Sequence, residues 1–283
     1  MKITTIEAGF FHVDGGAMFG VVPKRVWQKR YPCNDQNFCR LAMRLLLIET
    51  NNRLILIDSG AGKKQLEYLK YYDFTEIVDF GEALKQHGYT CEQVTDVVMT
   101  HLHFDHCGGT TSFVDENKTV GLTFPNALVW VGRVQWENFL QPNVREGDSY
   151  FTENMLPVLQ AGKLQLVDKE IKIDDRVMLK LFHGHTVGQL VPYISYDDEN
   201  TLVYVGDVIP VVASIPIAWV SAYDTFPITS MEDKERLLNE AAEKRQLLFF
   251  EHDAYFESCR IEIINGKYRA TEQGKVADLL IKK

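Results

Sequence analysis

Six consecutive residues near the middle of the chain contain three histidines and an aspartate. They read His-Leu-His-Phe-Asp-His over 101–106 and directly follow the apolar run 97–99. Because only 8 of the 283 residues are histidine, chance is a poor explanation for this pattern. Neutral imidazole and carboxylate are ligands of Zn²⁺ and of neighbouring transition metals. The segment therefore predicts a metal site at the end of a buried strand, which restricts how the rest of the chain folds.

The spacing inside this segment predicts two metal ions rather than one. In an extended chain alternate residues point the same way, so His101 and His103 leave the strand end on one side. The glycine pair 108–109 lets the chain bend just beyond, and an intervening turn aims Asp105 and His106 at a second point. Two ligand pairs suit two adjacent ions. The alternative is a histidine-rich surface loop that fixes no ion.

Three later segments also place ligand-type residues directly after short apolar runs. Such runs are typical of buried strands, and loops at strand ends are where protein scaffolds place their chemistry. The sequence therefore predicts one metal site assembled from several strand ends. The later candidates are His183 and His185 after the run 177–182, Asp207 after 201–205, and His252 after 247–250.

The order of these motifs resembles that of the metallo-β-lactamase superfamily of αββα hydrolases. The matching motifs are HxHxDH at 101–106, GHTxGQ at 184–189, GD at 206–207, a C-terminal histidine, and an early Asp-Ser-Gly turn at 58–60. The resemblance spans nearly the whole chain. It implies an α/β (α+β) fold, a four-layer αββα sandwich with the metal site at the strand ends. It also implies one domain over 1–283, made of two similar αβ halves at about 1–145 and 146–283.

The resemblance also implies a ligand set for two ions. One ion would be held by His101, His103 and His185, the other by Asp105, His106 and His252, and both by the bridging carboxylate of Asp207. The expected ions are divalent, Zn²⁺ first, with Mn²⁺, Fe²⁺ or Co²⁺ as alternatives. In the family a hydroxide that bridges the ions can attack the substrate, and Asp105 is the candidate to hold or relay its proton.

Several neighbouring residues compete for these roles. The competing assignments are His183 for His185, Glu251 or Asp253 for His252, and a turn-capping role for Asp207. The family pattern places the ligand between Gly and Thr, which favours His185, and we retain Asp207 and His252 as predicted ligands. Asp58 is expected to orient an imidazole rather than bind an ion. Cys107 is expected to be a small, buried, reduced residue rather than a ligand.

Composition and charge restrict the partners of the protein. Lys and Arg total 30 against 39 Asp and Glu, and the resulting net charge of −9 disfavours binding to a phosphate backbone. We see no secretory signal and no apolar run near the roughly 18 residues that cross a bilayer. The 5 cysteines form no CxxC pair. We expect a reduced, cytoplasmic protein with a small-molecule substrate, no nucleic-acid or membrane partner, and a homodimer as an open expectation.

Two aromatic segments are candidates for the wall of a substrate pocket, and the alternative is that their side chains belong to the ordinary core. The candidate residues are Phe19, Trp27, Trp219, Tyr223 and Phe226. The segment 14–20 and the continuation Gly-Asp-Val-Ile-Pro at 206–210 resemble the branch of N-acyl homoserine lactonases and methyl parathion hydrolase-like enzymes. Those lactonases carry a tyrosine shortly after the bridging aspartate, whereas Val-Ile-Pro follows here, and Tyr223 is a candidate replacement.

These features predict a dinuclear metal-dependent hydrolase that acts on a lactone, an ester or a phosphotriester of a small molecule. A phosphodiesterase or ribonuclease would use the same ligands. It would also need basic residues that bind the substrate, or an added domain, and neither is evident in the sequence. An iron-dependent oxidoreductase is a further alternative on the same ligands. A β-lactamase is disfavoured because Asp105 and His106 together with Asp207 resemble the non-lactamase dinuclear pattern. The complete ligand set disfavours an inert scaffold.

Predicted strands and helices alternate along the chain without a linker. Strands are predicted over 41–49, 53–57, 94–99 and 127–131, and helices over 80–87, 133–140 and 231–245. Ser230 is the predicted N-cap of the last helix. Asn265-Gly266 predicts a tight hairpin between 261–264 and 267–270.

Overall fold

The computed structural model describes residues 1–280, so residues 281–283 of the predicted domain lie outside the described residues. The strands are β1 Lys2–Asp14, β2 Phe38–Glu49, β3 Leu54–Ile57, β4 Asp96–Val98, β5 Thr111–Phe113, β6 Val120–Leu122, β7 Leu128–Gly132, β8 Leu164–Val167, β9 Ile171–Asp174, β10 Val177–Phe182, β11 Gln189–Ser195, β12 Thr201–Tyr204, β13 Leu247–Phe249, β14 Ser258–Ile264 and β15 Lys267–Gly274. The helices are α1 Gly15–Phe19, α2 Lys24–Trp27, α3 Phe80–Lys85, α4 Phe104–Cys107, α5 Arg133–Leu140, α6 Thr152–Gln160, α7 Pro227–Glu243 and α8 Val276–Leu280.

The chain divides into two compact units. The first unit comprises residues 1–10, 43–169 and 188–190, and the second comprises 11–42, 170–187 and the residues from 191 onward. Each unit combines β-strands with helices, which confirms the mixed α/β class that the sequence predicts. The single-domain assignment and the two sequential halves stay predictions.

A six-stranded sheet with the order β1-β2-β3-β4-β7-β8 lies mainly in the first unit. β2 and β3 correspond to the predicted strands 41–49 and 53–57 and form an antiparallel hairpin, in which the N–H of Thr50 donates to the carbonyl of Arg53 at 2.9 Å. β3, β4, β7 and β8 are parallel neighbours. Because the carboxyl ends of β3 and β4 meet at one edge, Asp58 after β3 lies near the residues that follow β4. The N–H of Asp58 donates to Val98 at 2.9 Å.

A seven-stranded sheet with the order β15-β14-β13-β12-β11-β10-β9 lies mainly in the second unit. β12 and β13 are parallel, with Tyr204 opposite Phe249, so their carboxyl ends share an edge. Side chains of α7, including Leu237 and Leu238, pack into the buried core of this sheet. The predicted hairpin between β14 and β15 is confirmed, and both residues of its turn, Asn265 and Gly266, have the positive φ that such turns require.

The predicted start of the long helix is wrong. α7 begins at Pro227, so Ser230 lies inside the helix and is not its N-cap. Proline suits the first helical position because its φ is already fixed and the missing N–H would have no partner there. The helix 133–140 is confirmed at both ends. No helix within residues 1–280 is long and apolar enough to span a membrane.

Candidate functional site

The segment 101–106 presents its donor atoms as two pairs. His103 is extended, and α4 begins directly after it and carries Asp105 and His106. Nε2 of His101 lies 3.0 Å from Nδ1 of His103. Nε2 of His106 lies 3.7 Å from a carboxylate oxygen of Asp105. All three imidazoles are buried, and the ring centroids of His101 and His106 lie 3.9 Å apart, so the two pairs adjoin each other.

Asp58 and Thr100 hold the rear nitrogens of two of these rings. The fully buried carboxylate of Asp58 accepts hydrogen bonds from the N–H of Thr100 at 2.6 Å and from its hydroxyl at 2.7 Å. Nδ1 of His106 lies 3.2 Å from the same carboxylate, and Nδ1 of His101 lies 3.1 Å from the hydroxyl of Thr100. Since both rings are held through Nδ1, Nε2 is the atom that each presents as a donor.

In the second unit, the carboxylate of Asp207 lies between two imidazoles. One oxygen of Asp207 is 3.2 Å from Nε2 of His185, and the other oxygen is 3.1 Å from Nε2 of His252. Asp207 lies within the short turn 206–208 and does not cap it. One oxygen faces each imidazole, an arrangement compatible with a carboxylate that bridges two ions.

The rear nitrogens of these two histidines are also held. Nδ1 of His185 lies 2.9 Å from the buried carboxylate of Asp224, and Nδ1 of His252 donates to the carbonyl of Ala42 at 2.8 Å. Imidazoles that bind metals almost always donate their other N–H to a carboxylate, a carbonyl or water. His183, by contrast, is exposed. The geometry therefore favours His185 over His183 as the ligand.

The carboxylate of Asp253 holds the backbone around His252 together. Its two oxygens accept hydrogen bonds from three backbone N–H groups at 2.9 Å each, those of Val212, Tyr255 and Phe256. This use of the carboxylate favours His252 over Asp253 as the ligand.

Cys107 remains a neutral thiol. Complete burial raises the pKa of Cys107 to about 12. Its sulfur donates to the carbonyl of Leu102 at 3.2 Å. This contact with the backbone inside the core favours a packing role for Cys107 over a ligand role.

The N-terminal part of α7 holds the loop that carries His185. One carboxylate oxygen of Asp233 accepts hydrogen bonds from the N–H groups of His183 at 2.7 Å and Gly184 at 2.9 Å. A Cβ on Gly184 would lie 2.3 Å from Cα of Ser230, so this position has no room for a side chain. Contact with the helix therefore fixes the loop just before His185.

The five residues predicted for the pocket wall lie in different surroundings. Phe19 and Trp27 are fully buried, with ring centroids 5.0 Å apart. Phe19 also makes an edge contact with Trp219 at 6.1 Å. Tyr223 and Phe226 are exposed. The assignment of all five residues to a substrate pocket stays a prediction.

The first unit contains a second aromatic group that the sequence reasoning missed. Phe104, which lies inside the metal motif, packs at 5.1 Å from Tyr72 and 6.5 Å from Phe151. Tyr68 packs at 5.7 Å from Phe151 and keeps 69% of its surface exposed. We call this group the aromatic wall, and its members are Tyr68, Tyr72, Phe74, Phe104 and Phe151. The dense aromatic run 68–74 was the signal available in the sequence.

The donor chemistry fits divalent transition-metal ions. Imidazole nitrogens and carboxylate oxygens are the atoms presented, and buried partners hold the rings from behind. Zinc and its neighbours bind such mixed nitrogen and oxygen sets, whereas Mg²⁺ and Ca²⁺ prefer oxygen alone. The fold and these donors define a class of metal-binding α/β proteins.

Comparison with known families agrees with this class. Residues 45–252 match the family model described as the Metallo-beta-lactamase superfamily. The chain belongs to this superfamily.

Two relatives illustrate how far the similarity extends. An N-acyl homoserine lactonase of Bacillus thuringiensis is 23% identical over 231 residues, which cover 76% of this chain and 83% of the lactonase. The Integrator complex subunit 11 homolog of Dictyostelium discoideum is 24% identical over 169 residues, or 57% of this chain. The chain spans only 21% of that relative's length.

Two solved structures share the fold. A probable metal-dependent hydrolase from Staphylococcus aureus superposes with a TM-score of 0.85 at 30% identity, covering 96% of this chain and 97% of the other. AidC, described as a dizinc quorum-quenching lactonase, gives a TM-score of 0.78 at 20% identity, with coverages of 97% and 95%. At the lower identity the likeness concerns the fold alone.

Proposed function

We propose that this protein is a dinuclear metal-dependent hydrolase that cleaves a lactone, ester or phosphotriester bond in a small molecule. Asp207 carries the proposal, because its two oxygens face His185 and His252 separately, as a bridging ligand would. The lactonase relative, which aligns over most of both chains, supports the type of bond. The proposed ligands are His101, His103, Asp105, His106, His185, Asp207 and His252.

Two divalent ions, Zn²⁺ before Mn²⁺, Fe²⁺ or Co²⁺, would supply a hydroxide near neutral pH and polarise the oxygen of the bond to be cleaved. The dizinc description of AidC supports zinc as the first choice. The role of the protein is to fix the imidazoles through their rear nitrogens. Asp105, whose side chain keeps 13% of its surface exposed, can hold a proton on its carboxylate and release it to solvent.

The aromatic wall supports a substrate with an apolar part. It surrounds Phe104, which stands between His103 and Asp105 in the motif, and Tyr68 offers exposed ring surface. Large aromatic surfaces next to a few polar groups are typical of small-molecule sites. The net charge of −9 argues against a nucleic-acid substrate.

A phosphodiesterase is the second candidate function. The relative named Integrator complex subunit 11 homolog is the observation that favours it, since it is 24% identical over 57% of this chain. An iron-dependent oxidoreductase on the same ligands is the third, and bound iron together with oxygen-dependent turnover separates it from the hydrolases.

The first experiment measures bound metals by elemental analysis on the preparation that is then assayed. The panel contains lactones, aryl esters, phosphotriesters and an RNA phosphodiester. Two zinc, manganese or cobalt ions per chain, with hydrolysis of a small molecule that is lost on chelation, would support the proposal. Cleavage of RNA alone would favour the second candidate. Bound iron with oxygen-dependent turnover and a silent panel would favour the oxidoreductase.

Asp105→Asn tests the proton-handling role. We expect a loss of turnover of about 10²–10⁴-fold, because the amide cannot take up a proton at neutral pH. Metal content should fall much less, since the amide oxygen remains. The matched control is Asp175→Asn in the exposed turn before β10, which should leave both quantities unchanged. An equal loss of turnover and of metal would contradict the role.

A further inference from the structure

A buried carboxylate faces the rear nitrogen of His103. Nε2 of His103 lies 3.5 Å from Oε1 of Glu146, whose residue is only 3% exposed. The opposite ring nitrogen, Nδ1, lies 3.0 Å from Nε2 of His101. The ring of His103 therefore has its Nδ1 toward another proposed ligand and its Nε2 toward an acid.

Glu146 is held in place by a network of polar side chains. Its Oε2 accepts hydrogen bonds from the side-chain amides of Asn138 at 3.0 Å and Asn143 at 2.5 Å. The hydroxyl of Tyr150 lies 3.1 Å from Oε1, and its ring packs against that of His103 at 5.2 Å. A buried carboxylate is costly unless it is hydrogen-bonded, so these donors stabilise it where it stands.

We infer that Glu146 is a positioning residue that sets which nitrogen of His103 binds metal. A carboxylate near Nε2 favours the tautomer with the proton on Nε2, which leaves the lone pair on Nδ1, the atom that faces His101. This inference rests on the proposed function insofar as His103 is taken as a metal ligand. It adds a fixed acid behind His103, as Asp58 stands behind His106.

A purely structural role for Glu146 makes a different prediction. Glu146 and Asn143 belong to the loop that follows α5, and their contacts could serve only to fasten this loop. In that case Glu146→Gln would lower the thermal stability of the metal-free protein and leave metal affinity unchanged. A positioning role lowers the affinity for metal, because the amide carries no charge to hold the proton on Nε2.

The experiment measures Zn²⁺ affinity by competition with a chromophoric chelator. We expect Glu146→Gln to bind one of its two ions about 10–100-fold more weakly than the wild type. The visible spectrum of the Co²⁺-loaded variant should change as well, since the ligand field at that ion changes. The matched control is Glu137→Gln, which removes an exposed carboxylate from α5 and should leave affinity and spectrum unchanged. Equal affinities for wild type and Glu146→Gln would overturn the inference.

Tyr150→Phe is the second variant, for the case in which Glu146→Gln does not fold. It keeps the ring against His103 and removes the hydroxyl next to Glu146, so we expect a smaller loss of affinity in the same direction. Unchanged affinity would overturn the inference. Weakened metal binding with a silent hydrolysis panel would support this inference and contradict the proposed function. A wild-type protein that binds no ion would contradict both.

Discussion

At the scale of single residues, the site depends on the groups behind the histidines. Asp58 lies behind His106, and Asp224 lies behind His185. An anionic partner of this kind fixes the ring and makes its other nitrogen a stronger donor. The orientation and the basicity of these histidines therefore depend on their partners, which the residue types of the motif alone do not specify.

Asp224→Asn tests this effect in the second unit. The amide preserves the shape of the side chain but removes the charge next to Nδ1 of His185, so we expect about 10–100-fold weaker metal binding. The measurement is metal content after dialysis against a series of free Zn²⁺ concentrations, followed by turnover at saturating metal. Wild-type affinity in this variant would contradict the role. Asp175→Asn again serves as the control for loss of one surface carboxylate.

The sequence predicts the candidate ligands better than it predicts the residues that support them. His101, His103 and His106 are recognisable because they are concentrated in one short segment after an apolar run. Asp224 and Glu146 are not recognisable in this way, because they are two of 39 acidic residues and lie in none of the motifs. Their importance arises from contacts between residues far apart in the chain, which local patterns do not encode.

At the scale of elements, α7 organises two loops of the second unit. Its Asp233 holds the backbone before His185. One residue further on, the ammonium of Lys234 donates to the carbonyls of Ser214 at 2.9 Å and Trp219 at 2.8 Å. Consecutive residues of one helix thus fasten the His185 loop and the segment that follows Asp207.

The buried ammonium of Lys234 predicts a pH dependence of stability. Burial lowers the pKa of Lys234 to about 8, whereas an unfolded lysine titrates near 10.4. Between these values the unfolded chain binds more protons, so raising the pH favours the folded state. Relative to Lys234→Met, the free energy of unfolding of the wild type should rise by about 2 kcal/mol between about pH 7.5 and pH 9.5.

Chemical denaturation of the metal-free proteins across this pH range provides the measurement. Lys244→Met is the control, because it removes a mostly exposed lysine from the end of the same helix. Its pH profile should follow that of the wild type. Parallel profiles for the wild type and Lys234→Met would show that Lys234 does not titrate as its burial implies.

Some boundaries of strands and helices are set by the local sequence, and others are set by tertiary contacts. Asn265-Gly266 forms the predicted hairpin because a tight turn needs positive φ at both positions. The sequence does not locate the start of α7 because Ser230 and Pro227 are both residues that begin helices well, and tertiary contacts decide between them. Ser230 packs instead against Gly184. The requirement for glycine at 184 is visible only once the helix is in place.

At the scale of the whole molecule, the fold determines the class of protein but leaves its substrate open. The order of motifs was enough to predict the superfamily, and the match over residues 45–252 confirms it. The substrate is less predictable because the aromatic residues that we propose for its site, Tyr68, Phe104 and Phe151, come from separate parts of the chain. Functions differ among proteins that share one fold, so the site must identify the substrate.

Metal binding should also be visible in the stability of the whole protein. A ligand that binds only the folded state stabilises it by about 2.7 kcal/mol at a free concentration of 100 times its Kd. For a chain of this size that corresponds to a rise in Tm of roughly 4–5 °C. We therefore expect chelation to lower the Tm by this amount and added Zn²⁺ to restore it. Differential scanning calorimetry over a series of free Zn²⁺ concentrations provides the measurement.

The variant Asp207→Asn tests whether the Zn²⁺-dependent rise in Tm comes from the proposed metal site. Its carboxylate contacts both His185 and His252, so the variant should lose most of the Zn²⁺-dependent rise in Tm. Asp175→Asn should keep the full rise, because its carboxylate lies in an exposed turn. A Tm that does not respond to chelation in the wild type would contradict the dinuclear site. An equal response in the wild type and Asp207→Asn would place the bound metal elsewhere in the protein.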